Sequence, residues 1–85
     1  MTIWKYPLDP NANYLDVPEG AEFLTLQMQN ETPCLWFRVD PSNKKKRIFL
    51  YIVGTGWKVQ PELHYLGTYQ ESDGLVFHIF SPEKL

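Results

Sequence analysis

The chain has 85 residues, of which 44% are hydrophobic, 15% aromatic and 21% charged, and its formal net charge is -2. A chain of this length predicts a single β-rich domain over residues 1–85 with a modest core, because it buries only about 60% of its unfolded surface. The weakly acidic balance argues against a surface that binds a nucleic-acid polymer along its phosphates. The single cysteine, Cys34, excludes an internal disulfide and suits a reducing cytoplasm. The sequence shows neither a secretory leader nor an apolar run of about 18 residues, so we expect a cytoplasmic protein without a membrane span.

Short apolar runs separated by proline predict an all-β fold. All seven prolines fall between these runs, as expected where every backbone N-H is needed for strand pairing. Only the segment around Pro61 has the pattern of a helical turn. We therefore predict seven short, mostly antiparallel strands in a curled sheet or small barrel. They cover residues 2–6, 14–17, 22–30, 34–39, 48–53, 64–70 and 75–80.

Three connections carry turn signals. Residues 17–20, with proline second and glycine last, predict a type I turn. Residues 30–33 predict a short hairpin connection. Residues 40–43 are rich in turn-forming side chains and lead into the central strand, which favours a hairpin between strands 34–39 and 48–53. The basic run 44–47 then lies at its tip, where solvated charge is the ordinary role and phosphate binding the less favoured one.

Alternation along the strands predicts which faces are buried. Strand 22–30 has one apolar face, formed by Leu24, Leu26 and Met28, and one polar face. Strands 34–39, 48–53 and 75–80 are instead largely apolar on both faces. Because so short a chain has little else with which to cover a second face, we predict a homo-oligomer, most simply a dimer.

Five short patterns carry a family resemblance, and they are Ile3-Trp4-Lys5-Tyr6, Pro33-Cys34-Leu35-Trp36, Val53-Gly54-Thr55-Gly56-Trp57, Gly67-Thr68 and Phe77-His78-Ile79-Phe80. With them, nearly the whole chain resembles a family of small phage and prophage proteins of uncharacterised function. The resemblance implies a phage-related origin and a compact β-rich fold. It brings no assigned catalytic or binding residues.

A ligand site is the main functional hypothesis from the residues themselves. The glycines of Gly54-Thr55-Gly56 let backbone N-H groups approach an anion closely, although a bulge or turn is the more ordinary role of such a loop. If Thr68 comes close to Thr55, two hydroxyls converge beside the ring of Trp57. Arg38 lies mid-strand among aromatic residues and suits stacking or anion binding. The predicted ligand-binding residues are Arg38, Gly54, Thr55, Gly56, Trp57 and Thr68.

Catalysis and metal binding are less favoured. Cys34 is followed by Leu35 and Trp36 in a strand, which is typical of a small core residue, and nothing in the sequence brings it to His64 or His78. His78 sits between Phe77 and Ile79, a setting typical of a hydrogen-bonded structural histidine. Two histidines without further partners do not predict a metal site. We therefore expect a non-enzymatic protein without a cofactor.

Two kinds of function remain after these exclusions. The first is sequestration of an anionic, ring-containing ligand such as a nucleotide-derived signalling molecule, which would blunt a host defence. The second is a protein-protein inhibitor or a virion or assembly accessory protein. The resemblance to phage proteins is compatible with both kinds.

Overall fold

A computed structural model describes residues 1–85 and confirms an all-β fold, with eight antiparallel strands and no helix. Every strand is short, between four and eight residues, as the proline spacing predicts. The strands are β1 (Thr2–Pro7), β2 (Tyr14–Pro18), β3 (Glu22–Gln29), β4 (Thr32–Val39), β5 (Lys45–Phe49), β6 (Tyr51–Gly54), β7 (His64–Gln70) and β8 (Val76–Ser81).

The strands form three small sheets instead of one curled sheet, and none of the sheets closes into a barrel. The first sheet has the order β1-β4-β3, the second is the pair β2-β5, and the third has the order β6-β8-β7. All five strand pairings are antiparallel. The sheets are held together by one core to which each contributes side chains.

The predicted central strand is two strands, which is why the count is eight and not seven. Residues up to Phe49 pair with β2, where Phe49 lies opposite Tyr14, and residues from Tyr51 pair with β8. The change of partner occurs at buried Leu50, whose N-H still donates to the carbonyl of Asn13 at 2.7 Å. The predicted alternation is confirmed, because Ile48 and Leu50 are buried while Phe49 and Tyr51 are exposed.

The predicted hairpin between β4 and the central run is wrong. β4 lies between β1 and β3, which leaves neither of its edges free, and β5 pairs with β2. The basic run is therefore not a hairpin tip, since three of its four residues lie in β5. Two of them form ion pairs there, Lys46 with Glu83 and Arg47 with Asp16.

The observed turns lie at or within one residue of the positions that the turn-forming residues predict. The predicted hairpin at residues 30–33 is confirmed, and its two-residue loop, Asn30-Glu31, has φ of 50° and 66°. The turn predicted at 17–20 lies one residue later, because Val17 is still paired in β2 and Ala21 N-H donates to the Pro18 carbonyl. Gly20 has φ of 83° there. Near Pro61 a single bond from Leu63 N-H to the Gln60 carbonyl closes a turn without forming a helix.

The core lies between the inward faces of the three sheets. Leu35, Phe37 and Val39 from β4 are fully buried, and they meet residues of the second and third sheets such as Val17 and Ile79. The predicted buried role of Cys34 is confirmed, since it too is almost fully buried.

A β-bulge changes the predicted face of β3. The register with β4 shifts between Phe23 and Thr25, so Phe23 packs inward against Phe37 with ring centroids 5.6 Å apart. Leu24 consequently does not share a face with Leu26, and it is 41% exposed. An extra residue in one strand reverses the alternation from that point, which the predicted pattern did not include.

Glu31 offers a test of the turn geometry. A left-handed conformation costs a residue with a side chain about 1–2 kcal/mol, whereas glycine adopts it freely at an entropic cost of about 0.5–1 kcal/mol. We therefore expect Glu31→Gly to raise the free energy of unfolding by about 0.5–1 kcal/mol in urea titrations. Glu31→Ala, which removes the carboxylate but keeps the unfavourable conformation, is the control and should change stability little. Equal effects of the two substitutions would contradict this explanation.

Candidate functional site

The outer face of the third sheet combines aromatic rings with a chain of polar groups, and we call it the His78 face. In β8, buried Ile79 and Ser81 point into the core, so His78 and Phe80 point outward. Cross-strand pairing sets their neighbours, because side chains of paired residues lie on the same face. The His78 face consists of Tyr51, Val53, Thr55, Tyr65, Thr68, His78 and Phe80.

His78 bonds to a threonine on each side. Its Nε2 lies 2.7 Å from Oγ1 of Thr55, the residue that follows β6, and its Nδ1 lies 2.8 Å from Thr68 Oγ1 on β7. Register explains this position, since His78 pairs with both Val53 and Thr68 across its two neighbouring strands. The Tyr65 hydroxyl extends the chain by a further bond to Thr68. Three strands are thus connected by one line of polar side chains across the sheet surface.

Aromatic rings flank this polar line. Tyr65 and Phe80 have ring centroids 5.5 Å apart with planes tilted by 60°, and Tyr51 lies opposite Phe80 in the register. Tyr51 and Tyr65 are 45% and 60% exposed. None of the five principal surface depressions is lined by residues of the His78 face, so the rings lie on an open surface and not in an enclosed pocket.

The structure brings together two of the predicted ligand-binding residues, Thr55 and Thr68, through His78. Trp57 lies on the opposite face of the same sheet. A Cβ on Gly54 would point at the Trp57 indole, 2.7 Å from its Cε2, and the indole also packs edge-on against Phe77 with centroids 6.3 Å apart. Since Phe77 and His78 are adjacent in β8, their side chains point to opposite faces.

Gly54 is therefore a position where a ring covers the backbone, because any larger residue would displace the indole. Gly56 has φ of 90°, which a turn of this shape requires and glycine supplies. Both glycines are explained by the turn from β6 to Trp57. The predicted role of this loop in binding an anion stays a prediction.

Arg38 lies apart from the His78 face. It is on the outer face of the first sheet, where its guanidinium donates to the Glu22 carboxylate across the β3-β4 pair. Both side chains are about half exposed. Within one chain, Arg38 thus does not join Thr55, Thr68 or Trp57 in a common site.

The second arginine is also paired. Arg47 donates two hydrogen bonds to Asp16, at 3.0 and 3.1 Å, and lies over the Tyr14 ring, 3.9 Å from its centroid. The hydrogen bonds from Arg47 hold the pKa of Asp16 below its ordinary value and raise the pKa of the guanidinium. Neither arginine, therefore, presents an unpaired guanidinium to a ligand.

Sequence reasoning predicted His78 as a hydrogen-bonded strand residue, and its bonds to both threonines confirm this. It did not include His78, Tyr51, Tyr65 or Phe80 among the candidate binding residues. The signal that could have identified them is the alternation of β8, which places a histidine and a phenylalanine on the face away from the core. No group of three His, Cys, Asp or Glu side chains is arranged to hold a metal ion.

The fold and this face define a small all-β domain that presents open sheet surfaces carrying aromatic rings. A family model described as "Domain of unknown function (DUF7352)" matches residues 1–85, and the chain belongs to that family. No curated protein and no solved structure matches the chain. No helix long and apolar enough to cross a membrane is present.

The hydrogen-bond chain predicts one tautomer of the neutral His78 ring. The Thr55 hydroxyl can donate to the Val76 carbonyl at 3.5 Å, which leaves Thr55 Oγ1 to accept from Nε2-H. Nδ1 then accepts from Thr68, which accepts in turn from Tyr65. Nitrogen NMR of the imidazole should show a protonated Nε2 and a bare Nδ1. Protonation at Nδ1 would reverse the assigned direction of the chain.

The Asp16-Arg47 pair predicts a dependence of stability on pH. Because the folded pKa of Asp16 is lowered, its contribution is fully present above the ordinary carboxyl pKa and is lost as pH falls through the lowered value. The stability difference between the unaltered chain and Asp16→Asn should thus be largest near neutral pH and disappear in acid. Thermal unfolding at a series of pH values measures it. A difference that persists unchanged into acid would contradict the role of the carboxylate charge.

Proposed function

We propose that this domain is a non-enzymatic binding protein whose His78 face docks on a protein partner. Tyrosine supplies large, rigid contact area with a polar end, and it is enriched at the centres of protein interfaces. Tyr51, Tyr65 and Phe80 provide such area on three adjacent strands. The hydroxyls of Thr55 and Thr68 add polar groups between these rings.

The open shape of the His78 face is the observation that carries this proposal. Small-molecule sites are usually concave and bury most of the ligand, whereas the exposed tyrosines here lie on an open sheet surface. The placement of the arginines also favours a protein partner over a phosphate-containing ligand. Both arginines are engaged by carboxylates on the other two sheets, so the His78 face offers rings and hydroxyls without an arginine to hold phosphates.

Sequestration of a nucleotide-derived signalling molecule is the second candidate. The adjacent rings of Tyr65 and Phe80 favour it, because stacking of a base on an aromatic side chain contributes about 1–3 kcal/mol. Thr68 and His78 lie beside these rings and can bond to the ligand's polar edge. Arg38 could contribute only from a second copy of the chain, since it lies on another sheet.

A phage-encoded protein acting in the host cytoplasm is the setting we propose for either ligand. The resemblance of the five sequence patterns to small phage and prophage proteins supports it. In that setting the domain would occupy a host or phage component and inhibit it, or assist assembly, without chemical turnover.

Affinity capture with two matched variants tests the proposal. Tyr51→Ser with Tyr65→Ser removes two exposed rings of the His78 face, and Leu24→Ser removes a comparably exposed side chain from the outer face of the first sheet. We expect the unaltered chain and Leu24→Ser to retain the same protein in stoichiometric amount, and the tyrosine variant to lose it. Truncation of central interface tyrosines typically costs 2 kcal/mol or more, which is about thirtyfold in affinity.

Calorimetry against cyclic and linear nucleotides separates the two candidates. Binding heat with a nucleotide that is lost in the tyrosine variant and retained in Leu24→Ser would contradict the protein partner. It would assign a nucleotide ligand to the His78 face instead. Retention of the captured protein by the tyrosine variant would rule out the His78 face as its docking surface. Conversion of any nucleotide into product would contradict a non-enzymatic role.

A further inference from the structure

The outer edge of β1 has no strand paired to it. β1 is the terminal strand of the first sheet and pairs only with β4, through six consecutive residues. The N-H of Leu8 donates to the Pro33 carbonyl, in the register of the β1-β4 pair. Because hydrogen-bonded pairs alternate along an antiparallel ladder, Tyr6 and Trp4 also direct their N-H and C=O groups to β4. Ile3 and Lys5 consequently direct their N-H and C=O groups away from the sheet.

The other sheet edges carry features that hinder pairing with a further strand. β2 ends in Pro18, β5 begins with two lysines, β6 has four residues, and β7 contains a bulge between Tyr65 and Gly67. The edge of β3 lies near the third sheet, where Leu26 packs within 3 Å of the position a Gly67 Cβ would take. Proline, lysine, short length and bulges are the ordinary means by which proteins prevent edge pairing.

β1 also ends in a proline, Pro7, as β2 ends in Pro18. Over its first five residues, from Thr2 to Tyr6, β1 carries none of these features apart from Lys5. The Lys5 ammonium does not project over the free edge, because it donates to the Gln29 side chain on β3 and so reaches back across β4. The adjoining surface is apolar. Ile3 is 59% exposed and, with Leu24 and Trp36, lines a shallow depression on the outer face of the first sheet.

The geometry points to antiparallel pairing of β1 with β1 of a second copy, which would join two first sheets into one six-stranded sheet. A two-fold axis pairs each strand with an identical one, and an isologous contact of this kind closes at two chains. Residues that point outward must lie opposite one another. Placing Lys5 opposite Lys5 of the second copy would set like charges side by side, which is unfavourable.

The remaining registers place Ile3 opposite Ile3 or opposite Lys5 of the second copy. Both use the Lys5 N-H as a donor, and both bring the two apolar depressions beside Ile3 toward the axis. This identifies an interface for the homo-oligomer that the sequence predicts, and it is independent of the partner proposed for the His78 face.

Two substitutions at one position test the edge. Lys5→Pro removes an outward N-H and places a ring on the edge, while the ladder to β4 does not use that N-H. Lys5→Ala loses the same side-chain bond to Gln29 but keeps the N-H. Sedimentation equilibrium at tens of micromolar should show twice the mass of one chain for the unaltered protein and for Lys5→Ala. Lys5→Pro should weaken association by about tenfold or more, since two hydrogen bonds related by symmetry are lost.

Circular dichroism and thermal unfolding check that Lys5→Pro retains the fold. A folded Lys5→Pro that associates as tightly as Lys5→Ala would overturn the edge interface, as would an unaltered chain that is monomeric across this concentration range. Association through an outer sheet face, instead of the β1 edge, is the alternative arrangement. Phe49→Lys, on the outer face of the second sheet, tests it. Loss of the dimer in that variant, with no effect of Lys5→Pro, would assign association to an outer face instead of the β1 edge.

Discussion

The change of strand partner at Leu50 determines how the sheets are arranged. One continuous extended run, residues 45–54, pairs with β2 before Leu50 and with β8 after it. Leu50 is buried and its N-H bonds to the Asn13 carbonyl, so its side chain points into the core at the residue where the partner changes. The alternation therefore continues from one sheet into the next. Phe49 and Tyr51 both face outward, so the outer faces of the second and third sheets are oriented by a single run.

Local sequence pattern was sufficient for fold class and for most strand positions, and insufficient for strand pairing. Proline spacing and alternation are local signals, and they predicted most strand positions and the hairpin at Asn30-Glu31. The prediction that every proline falls between strands is wrong, because Pro7, Pro18 and Pro33 lie at or next to the ends of strands β1, β2 and β4. Pairing depends on contacts between residues far apart in sequence, such as Leu15 with Ile48 and Ile52 with Ile79. The turn-forming residues at 40–43 predict only that the chain bends there. They carry no information on which strands pair, and β4 already pairs with β1 and β3.

The candidate site shows the same limit at the level of single residues. Proximity of Thr55 to Thr68 was predictable as a possibility, because two Gly-Thr pairs follow strand-like runs, but the histidine that connects them required the register of β8. The Gly54 to Trp57 motif is continuous in sequence, but it forms a turn closed by the bond from the Trp57 N-H to the Gly54 carbonyl. Strand alternation would place Thr55 and Trp57, two residues apart, on the same face. The turn instead lets Trp57 pack on Phe77, on the face opposite to His78, while Thr55 bonds to His78. A motif that spans a strand end cannot be assigned to one surface without the structure.

Charge pairing on the outer surfaces further limits what they can recognise. Arg38 with Glu22, Arg47 with Asp16 and Lys46 with Glu83 each combine opposite charges from different strands. These pairs are exposed, where an ion pair contributes little to stability, so their main consequence is local neutrality. A partner that relied on phosphate contacts would have to separate an existing pair before gaining a new one. Rings and hydroxyls have no such competing charge, and the surface that presents most of them together is the His78 face.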